Sequence, residues 1–264
     1  MINGWLKGKV LVIIGGSSGL GLAAAIRSVE EGAKVVVVGR DDDKIHSARD
    51  VLGSNGLALM GDATAPDTAV HAIAKAAESF GGFHGLYHVA GGSGRRFGDG
   101  PLHQMTEEGW MKTLHWNLDS VMLSNRAAVN YFMEHQQSGV ILNMSSVLGF
   151  SPSPKHFATH AYAAAKAGII GFSKSLASYY ANLDIRINVI APGLVETPMS
   201  QRAFHDQQIL DFIATKQPLR KGVAPKAIDL ADTAVYLLSD RSALVTGQVI
   251  AVDGGWTVSE GQYA

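Results

Sequence analysis

The sequence predicts an α/β fold of alternating strands and helices, and three observations carry that prediction. Short apolar runs, several rich in β-branched residues, recur at Lys9–Ile14, Lys34–Val38, Gly56–Met60, Gly85–Val89, Val140–Met144, Asp184–Ile190 and Gln248–Val252. Stretches of helical character separate most of them, as in a sheet of buried parallel strands. The first run passes through Gly15-Gly16-Ser17-Ser18-Gly19-Leu20-Gly21 into a helix and then a second strand, the context of a phosphate-binding turn.

Composition narrows the class. The chain has 264 residues, 47% hydrophobic and 17% charged, with 30 glycines and a formal net charge of -1. Such a chain suits one α/β domain over residues 1–264. Its near-neutral balance argues against a general attraction to nucleic acid or to an anionic membrane. Cysteine is absent, which removes disulfides, thiolate metal sites and cysteine nucleophiles, and no metal site is expected. The longest purely apolar runs, such as Val10–Ile14 and Val35–Val38, are too short to span a bilayer. Met1-Ile2-Asn3-Gly4-Trp5-Leu6-Lys7 lacks the charged region and apolar core of a secretory signal, so a soluble cytoplasmic protein is expected.

After the glycine turn, Leu22–Glu31 reads as a helix ending at Gly32, and Lys34–Val38 as the second strand. Backbone N–H groups at that helix start would face a pyrophosphate, and the glycines allow its close approach. At the end of the second strand an acidic residue would bind the adenosine ribose, whereas an arginine accommodates a 2′-phosphate. The residues there are Gly39-Arg40, so NADP(H) is preferred and NAD(H) remains possible. Asp41, Asp42 and Asp43 cap and charge the following helix, which runs to Leu52.

Gly56–Met60 leads into Gly61-Asp62-Ala63-Thr64 at a strand's carboxyl end, where open α/β sheets bind ligands. Asp62 meets an adenine amino group or caps the helix Pro66–Phe80. Beyond Gly85–Val89, the small Ala90-Gly91 turn again permits close backbone approach. His88 reads as a hydrogen-bonded core histidine, because no spaced ligand cluster accompanies it. The loop Ser93–Gln104 carries Arg95, Arg96 and Phe97, and is either a solvated surface or a loop that greets an anionic group. Met105–Gln136 reads as one long helix with Asn117 well inside it, although asparagine competes with the helix for backbone groups.

Val140–Met144 delivers Ser145 and Ser146 to a strand end, and Pro152 and Pro154 break the chain before the next helix. That helix contains Tyr162-Ala163-Ala164-Ala165-Lys166, and alanine is the best helix former. Residues four apart share a helix face, so the phenol and the ammonium point the same way. A free tyrosine titrates near pH ~10, and a fixed cation beside it favours the phenolate. The pair can then exchange a proton with an alcohol. Asp184–Ile190 precedes Pro192-Gly193-Leu194-Val195-Glu196-Thr197. Met199–Gln217 carries Phe204, Ile209, Leu210, Phe212 and Ile213, an apolar set that closes over a substrate or packs on the core. Ile228–Leu238 is helical, and Gln248–Val252 ends before Asp253-Gly254-Gly255.

Assembled in order, these residues resemble the short-chain dehydrogenase/reductase family over nearly the whole chain. The likeness rests on Gly15, Gly19 and Gly21, Asp62, Ala90-Gly91, Asn117, Ser146 with Gly149, Tyr162-x-x-x-Lys166, Pro192-Gly193 with Thr197, and Asp253-Gly254-Gly255. The resemblance implies a doubly wound, Rossmann-type, seven-stranded parallel sheet. It implies that Tyr162 is the acid/base, that Lys166 lowers its pKa and holds the nicotinamide ribose, and that Ser146 orients the carbonyl. Asn117 would anchor a water linking Lys166 to solvent. Cofactor contacts would come from Gly15, Ser17, Ser18, Gly19, Leu20, Gly21, Asp62, Ala63, Ala90, Gly91, Pro192 and Gly193. Arg40 would hold the 2′-phosphate, and Val195 and Thr197 the carboxamide end. A homotetramer built through the helices of Asn117 and Tyr162 is implied as well.

Three departures stand out. Ile14 occupies a position where many members have a threonine that braces the glycine loop. His88-Val89 replaces a usual Asn-Asn pair. The interval between Ser146 and Tyr162 is 15 residues, longer than usual, which places extra chain around Ser151–His160 beside the substrate pocket. The expected activity is NADP(H)-dependent reduction of a small-molecule ketone or aldehyde, a 3-oxoacyl thioester among the candidates, reversible as alcohol oxidation. The alternatives are an NAD(H)-dependent dehydrogenase of a sugar, steroid or secondary alcohol, and a non-catalytic dinucleotide-binding regulator.

Overall fold

The computed structural model describes residues 4–261. The reading of the N-terminal heptapeptide therefore rests partly on residues 1–3, which lie outside that range. Seven strands form one parallel sheet: β1 Val10–Ile14, β2 Lys34–Gly39, β3 Gly56–Met60, β4 Gly85–His88, β5 Gly139–Met144, β6 Ile185–Pro192 and β7 Val249–Val252. Their order is β3-β2-β1-β4-β5-β6-β7. Strand order reverses between β1 and β4, and the crevice beyond their carboxyl ends is where such sheets take ligands.

Alternation along each strand divides the core. Leu11, Ile13, Val35 and Val37 point to one face, covered by α1 Gly19–Glu30, α2 Asp42–Leu52 and α9 Ala231–Leu238. Val10, Val12, Ile14, Val36 and Val38 point to the other. There α3 Thr68–Phe80, α5 Ser120–Glu134 and α6 His160–Tyr180 close the sandwich. Central strands thus bury both faces, which is why they read as continuous apolar runs. The fold is the doubly wound α/β class that the sequence predicts.

The single helix expected over Met105–Gln136 is broken. A short α4, Glu107–Leu114, passes through a π-helical turn, His115–Asp119, before α5 begins. Asn117 sits in that turn, fully buried. A π turn inserts one residue into the helical ladder and re-aims the side chains around it, and such turns concentrate at functional sites. The predicted helix Ile228–Leu238 likewise opens with a 3-10 turn, Ala227–Leu230, before α9. Met199–Gln217 contains α7 Gln201–Phe204 and α8 Gln207–Lys216. Ala203, Ile209 and Ile213 pack with Val147 and the fully buried Trp256 in a third apolar cluster beside the crevice. Among the described residues no helix is long and apolar enough to cross a membrane.

Candidate active site

A cavity of about 1010 Å³ opens at the carboxyl ends of the strands. One end begins at the glycine turn after β1. A Cβ on Gly21 would lie 2.1 Å from the Gly15 carbonyl oxygen, so only glycine lets α1 start this close beneath the turn. The Ser18 side chain makes no cap bond, and the first turn of α1 holds no carboxylate. The positive end of the helix is therefore available to an anion. Ile14 does not loosen this turn. Its carbonyl accepts from Val89 N and Ala90 N at 2.8 and 2.9 Å, and the Val38 carbonyl accepts from Gly15 N and Gly16 N. Backbone bonds thus do the bracing.

At the other end, β5 delivers Ser146, and α6 delivers Tyr162 and Lys166. Ser146 Oγ accepts from Leu148 N at 3.2 Å, and the Ser145 hydroxyl donates to the Lys166 carbonyl at 2.7 Å. These bonds tie the strand end to the helix. Lys166 is 3% exposed, and its ammonium donates to the Met144 carbonyl at 3.0 Å and stands 5.4 Å from the centre of the Tyr162 ring. Burial pushes the Tyr162 phenol up to about 12, opposed by the neighbouring Ser146 hydroxyl. Burial also brings Lys166 down to about 7. In the protein on its own, burial sets the direction of both shifts. Desolvation penalises the charged form of each group, raising the phenol and lowering the ammonium.

Asn117 does not line the cavity. Its Nδ2 donates to the Gly92 and Thr113 carbonyls at 3.0 and 2.9 Å, and its Oδ1 accepts from Gly92 N at 3.0 Å. The side chain locks the turn after β4, within reach of the same Gly91 that neighbours the Lys166 ammonium. His88 is a core histidine: its ring bonds Ser124 Oγ at 2.7 Å, Ala90 O at 3.2 Å and Ser120 Oγ at 3.3 Å. Burial first, and then the charge on Lys166, bring it down to about 3, so the ring is neutral. Two serines of α5 thus satisfy the residue that departs from the family pattern.

The predicted residues Gly15, Ser17, Ser18, Gly19, Leu20 and Arg40 line the cavity, as do Ala63, Ala90, Gly91, Pro192, Gly193, Val195 and Thr197. Gly21 supports the turn from beneath. Asp62 lies outside the lining; its carboxylate accepts from Thr64 N and Oγ1 at 2.9 and 2.8 Å. Asp62 also pairs with Arg40 at 3.4 Å. Thr197 caps its own turn with Ser200, and the Ser200 hydroxyl donates to the Val195 carbonyl at 2.6 Å. A glycine cradle at a bare helix start, an arginine at the β2 end and a long cavity between them fit a dinucleotide phosphate. Among the described residues no group of His, Asp and Glu is arranged to hold a metal.

Sequence reasoning missed several residues. Trp116, Phe157, Arg202 and Trp256 line the cavity from separate elements. Trp256 Nε1 donates to the Ser151 carbonyl at 3.1 Å and its ring meets Phe157 and Phe212 edge-on, so it anchors the longer interval before Tyr162. Asp99, 5% exposed, accepts from Ala161 N and Tyr162 N at 3.0 Å each, where the Thr159 side chain makes no cap bond. Its only sequence signal was a carboxylate within a glycine-rich loop.

Fold and site together define a Rossmann-type oxidoreductase. The family model described as enoyl-(acyl carrier protein) reductase matches residues 15–257, and the chain belongs to the short-chain dehydrogenase/reductase family of NAD(P)-dependent enzymes. It is 35% identical over 262 residues to 3beta-hydroxysteroid dehydrogenase 1 of Eggerthella lenta, covering 97% of this chain and 96% of that one. It is 34% identical over 249 residues to the 3-oxoacyl-[acyl-carrier-protein] reductase FabG of Escherichia coli K12, covering 94% and 97%. The crystal structure of gox2181 superposes with a TM-score of 0.89 at 27% identity, over 98% of this chain and 100% of that chain.

Proposed function

We propose that this enzyme reduces a ketone with NADP(H), with Tyr162 as the proton donor. The observation that carries the reading is the meeting of Ser146, Tyr162 and buried Lys166 at the wall of a cavity that also reaches the glycine turn. When bound, the nicotinamide supplies the hydride that goes to the carbonyl carbon. Burial keeps Tyr162 a phenol at neutral pH, the form needed to give a proton to the carbonyl oxygen. Ser146 orients that oxygen and donates a hydrogen bond as negative charge develops on it. Lys166 offers an ammonium one helical turn away to the phenolate left behind. Asn117 and Asp99 position these groups, the first by fixing Gly92 and the second by fixing the start of α6.

Arg40 supports NADP(H) over NAD(H). It lines the cavity at the end of β2, where its fork suits a phosphate. Asp41 lines the same end, but its carboxylate is engaged by the N–H and the ammonium of Lys44 at 3.1 and 2.8 Å. We assign the dinucleotide contacts to Gly15, Ser17, Ser18, Gly19 and Leu20 of the glycine turn and Arg40, to Ala63, Ala90 and Gly91, and to Pro192, Gly193, Val195 and Thr197, all at the cavity wall, with Gly21 in support. The substrate cover falls to Met199–Gln217. Trp110, Met111, Met122 and Met133 on α4 and α5, and Tyr179 on α6, leave apolar surface exposed, which supports a homotetramer through the helices of Asn117 and Tyr162. A sequence without cysteine accords with a cytoplasmic setting. Purified protein is expected to oxidise NADPH with members of a ketone panel. Tyr162→Phe is expected to abolish this while NADPH still binds; turnover that survives the substitution would overturn the assignment.

A further inference from the structure

We propose that the substrate carries an oxyanion, a carboxylate or a phosphate monoester, gripped at the cavity mouth by Arg95 and Arg202. This deepens the ketone-reductase reading and rests on it. The two arginines come from different segments. Arg95 lies in the 3-10 turn Gly94–Phe97 after β4, and Arg202 lies on α7. Both line the cavity. Both aim at one atom of a third segment: Arg95 Nη2 donates to the His156 carbonyl at 3.2 Å, and Arg202 Nη2 to the same oxygen at 3.4 Å.

That arrangement leaves charge and donors unanswered. Each guanidinium has five N–H donors, and one shared carbonyl oxygen satisfies few of them. Among the described residues neither arginine forms an ion pair with a carboxylate. Asp99 is the acid whose charge favours the Arg95 cation, yet its two oxygens accept from the α6 amides. Burial and the charge of Arg202 both disfavour the cation on Arg95. Two like charges held together with no carboxylate in ion-pair contact suit a site whose direct counter-ion is the ligand. The neighbouring arginines differ. Arg40 pairs with Asp62, and Arg96 lies 4.6 Å from the ring centres of both Phe97 and Trp116.

The rest of the lining completes the description of the ligand. Val147, Leu148, Phe157, Leu194, Met199 and Trp256 supply apolar lining shared with Ser146 and Tyr162. The ligand is accordingly an apolar ketone with its oxyanion at the opposite end from the reacting carbonyl.

The test uses the full chain saturated with NADPH and three matched sets of ketones: keto acids of graded length, their methyl esters, and ketones bearing a phosphate monoester. We expect kcat/KM for an acid or a phosphate to exceed that for the neutral ester by about tenfold, the worth of one charge-assisted hydrogen bond. Arg95→Gln and Arg202→Gln should each collapse that ratio towards one, while NADPH affinity stays as in the parent protein. Whichever of the acid and the phosphate shows the larger ratio identifies the group. Esters that match both oxyanions, or a preference that survives the double substitution, would overturn the proposal. Calorimetric titration of the same compounds separates it from the parent reading. Acid binding that both substitutions abolish, without turnover, upholds the oxyanion site and removes the reductase assignment. Failure of every acid and phosphate to bind removes the oxyanion site itself.

Discussion

Asp99 holds the start of the helix that carries Tyr162: its two carboxylate oxygens accept from the Ala161 and Tyr162 amides at 3.0 Å each, across more than 60 residues of sequence. The α6 N-terminus would otherwise leave these N–H groups buried and unpaired. A carboxylate there also meets the positive end of the helix dipole. The orientation of the tyrosine thus depends on a loop that contributes Arg95 to the cavity mouth.

Asp99→Ala is expected to cost about 1–3 kcal/mol, the range for a lost cap that leaves buried donors unpaired. For a chain of this size that is about 2–4 °C of Tm per kcal/mol. Thermal melts should show the loss, and kcat should fall more than the Michaelis constant for NADPH changes. Asp99→Asn keeps one good acceptor and should recover part of both. An alanine variant with parental Tm and kcat would show that the cap is immaterial.

Lys166 makes stability depend on pH. Burial lowers its pKa from the ordinary 10.5 to about 7 in the folded protein. Between those values the unfolded chain binds more protons than the folded one, so stability rises with pH across the window. Below it both states are protonated, and the folded protein bears the full cost of a buried ammonium. Melts of the cofactor-free protein from mildly acidic to alkaline pH should therefore show a larger upward shift than those of Lys166→Met. Tyr162, raised from 10.0 to about 12, acts with the opposite sign above pH 10, where stability should fall. Identical pH profiles for the parent and Lys166→Met would contradict the assignment.

Arg40→Ala should weaken NADPH binding about ten- to hundredfold, the range for lost charge-assisted bonds, and should barely alter NADH binding. Removing the arginine also frees Asp62 from its 3.4 Å pairing. Fluorescence titration with each dinucleotide measures the two affinities; equal losses would remove the basis of the NADP(H) preference.

Gly91 has φ +147°, and a Cβ there would lie 2.6 Å from Asn117 Oδ1 and 3.5 Å from Lys166 Nζ. Gly91→Ala should push the turn off Asn117, cost about 1–3 kcal/mol as overpacking does, and lower kcat. Chemical denaturation and steady-state rates on the same preparation test both parts. Gly53 also has positive φ, but a Cβ there meets nothing within 4 Å. Gly53→Ala is thus a control for backbone strain without overpacking.

Local patterns were legible wherever one element imposes its own period. The strands, the glycine turn, Arg40 at the end of β2 and the shared face of Tyr162 and Lys166 all follow from residues a few positions apart. The π turn at Asn117 was not legible, because the composition of Met105–Gln136 suits an uninterrupted helix. The burial that raises Tyr162 and lowers Lys166 was not legible either. It comes from β5, the Ser146 loop and the turn after β4 packing around them.

The amino-acid sequence by itself determined the α/β class, the glycine turn and the serine, tyrosine and lysine to which we assign the chemistry, since each is a property of spacing along one segment. Only the tertiary structure decided that Asp99 caps the tyrosine helix, that His88 is neutral between two serines, and that Arg95 and Arg202 meet over His156. Those are contacts between remote segments, and their energies depend on desolvation and direction, which chain order alone does not specify.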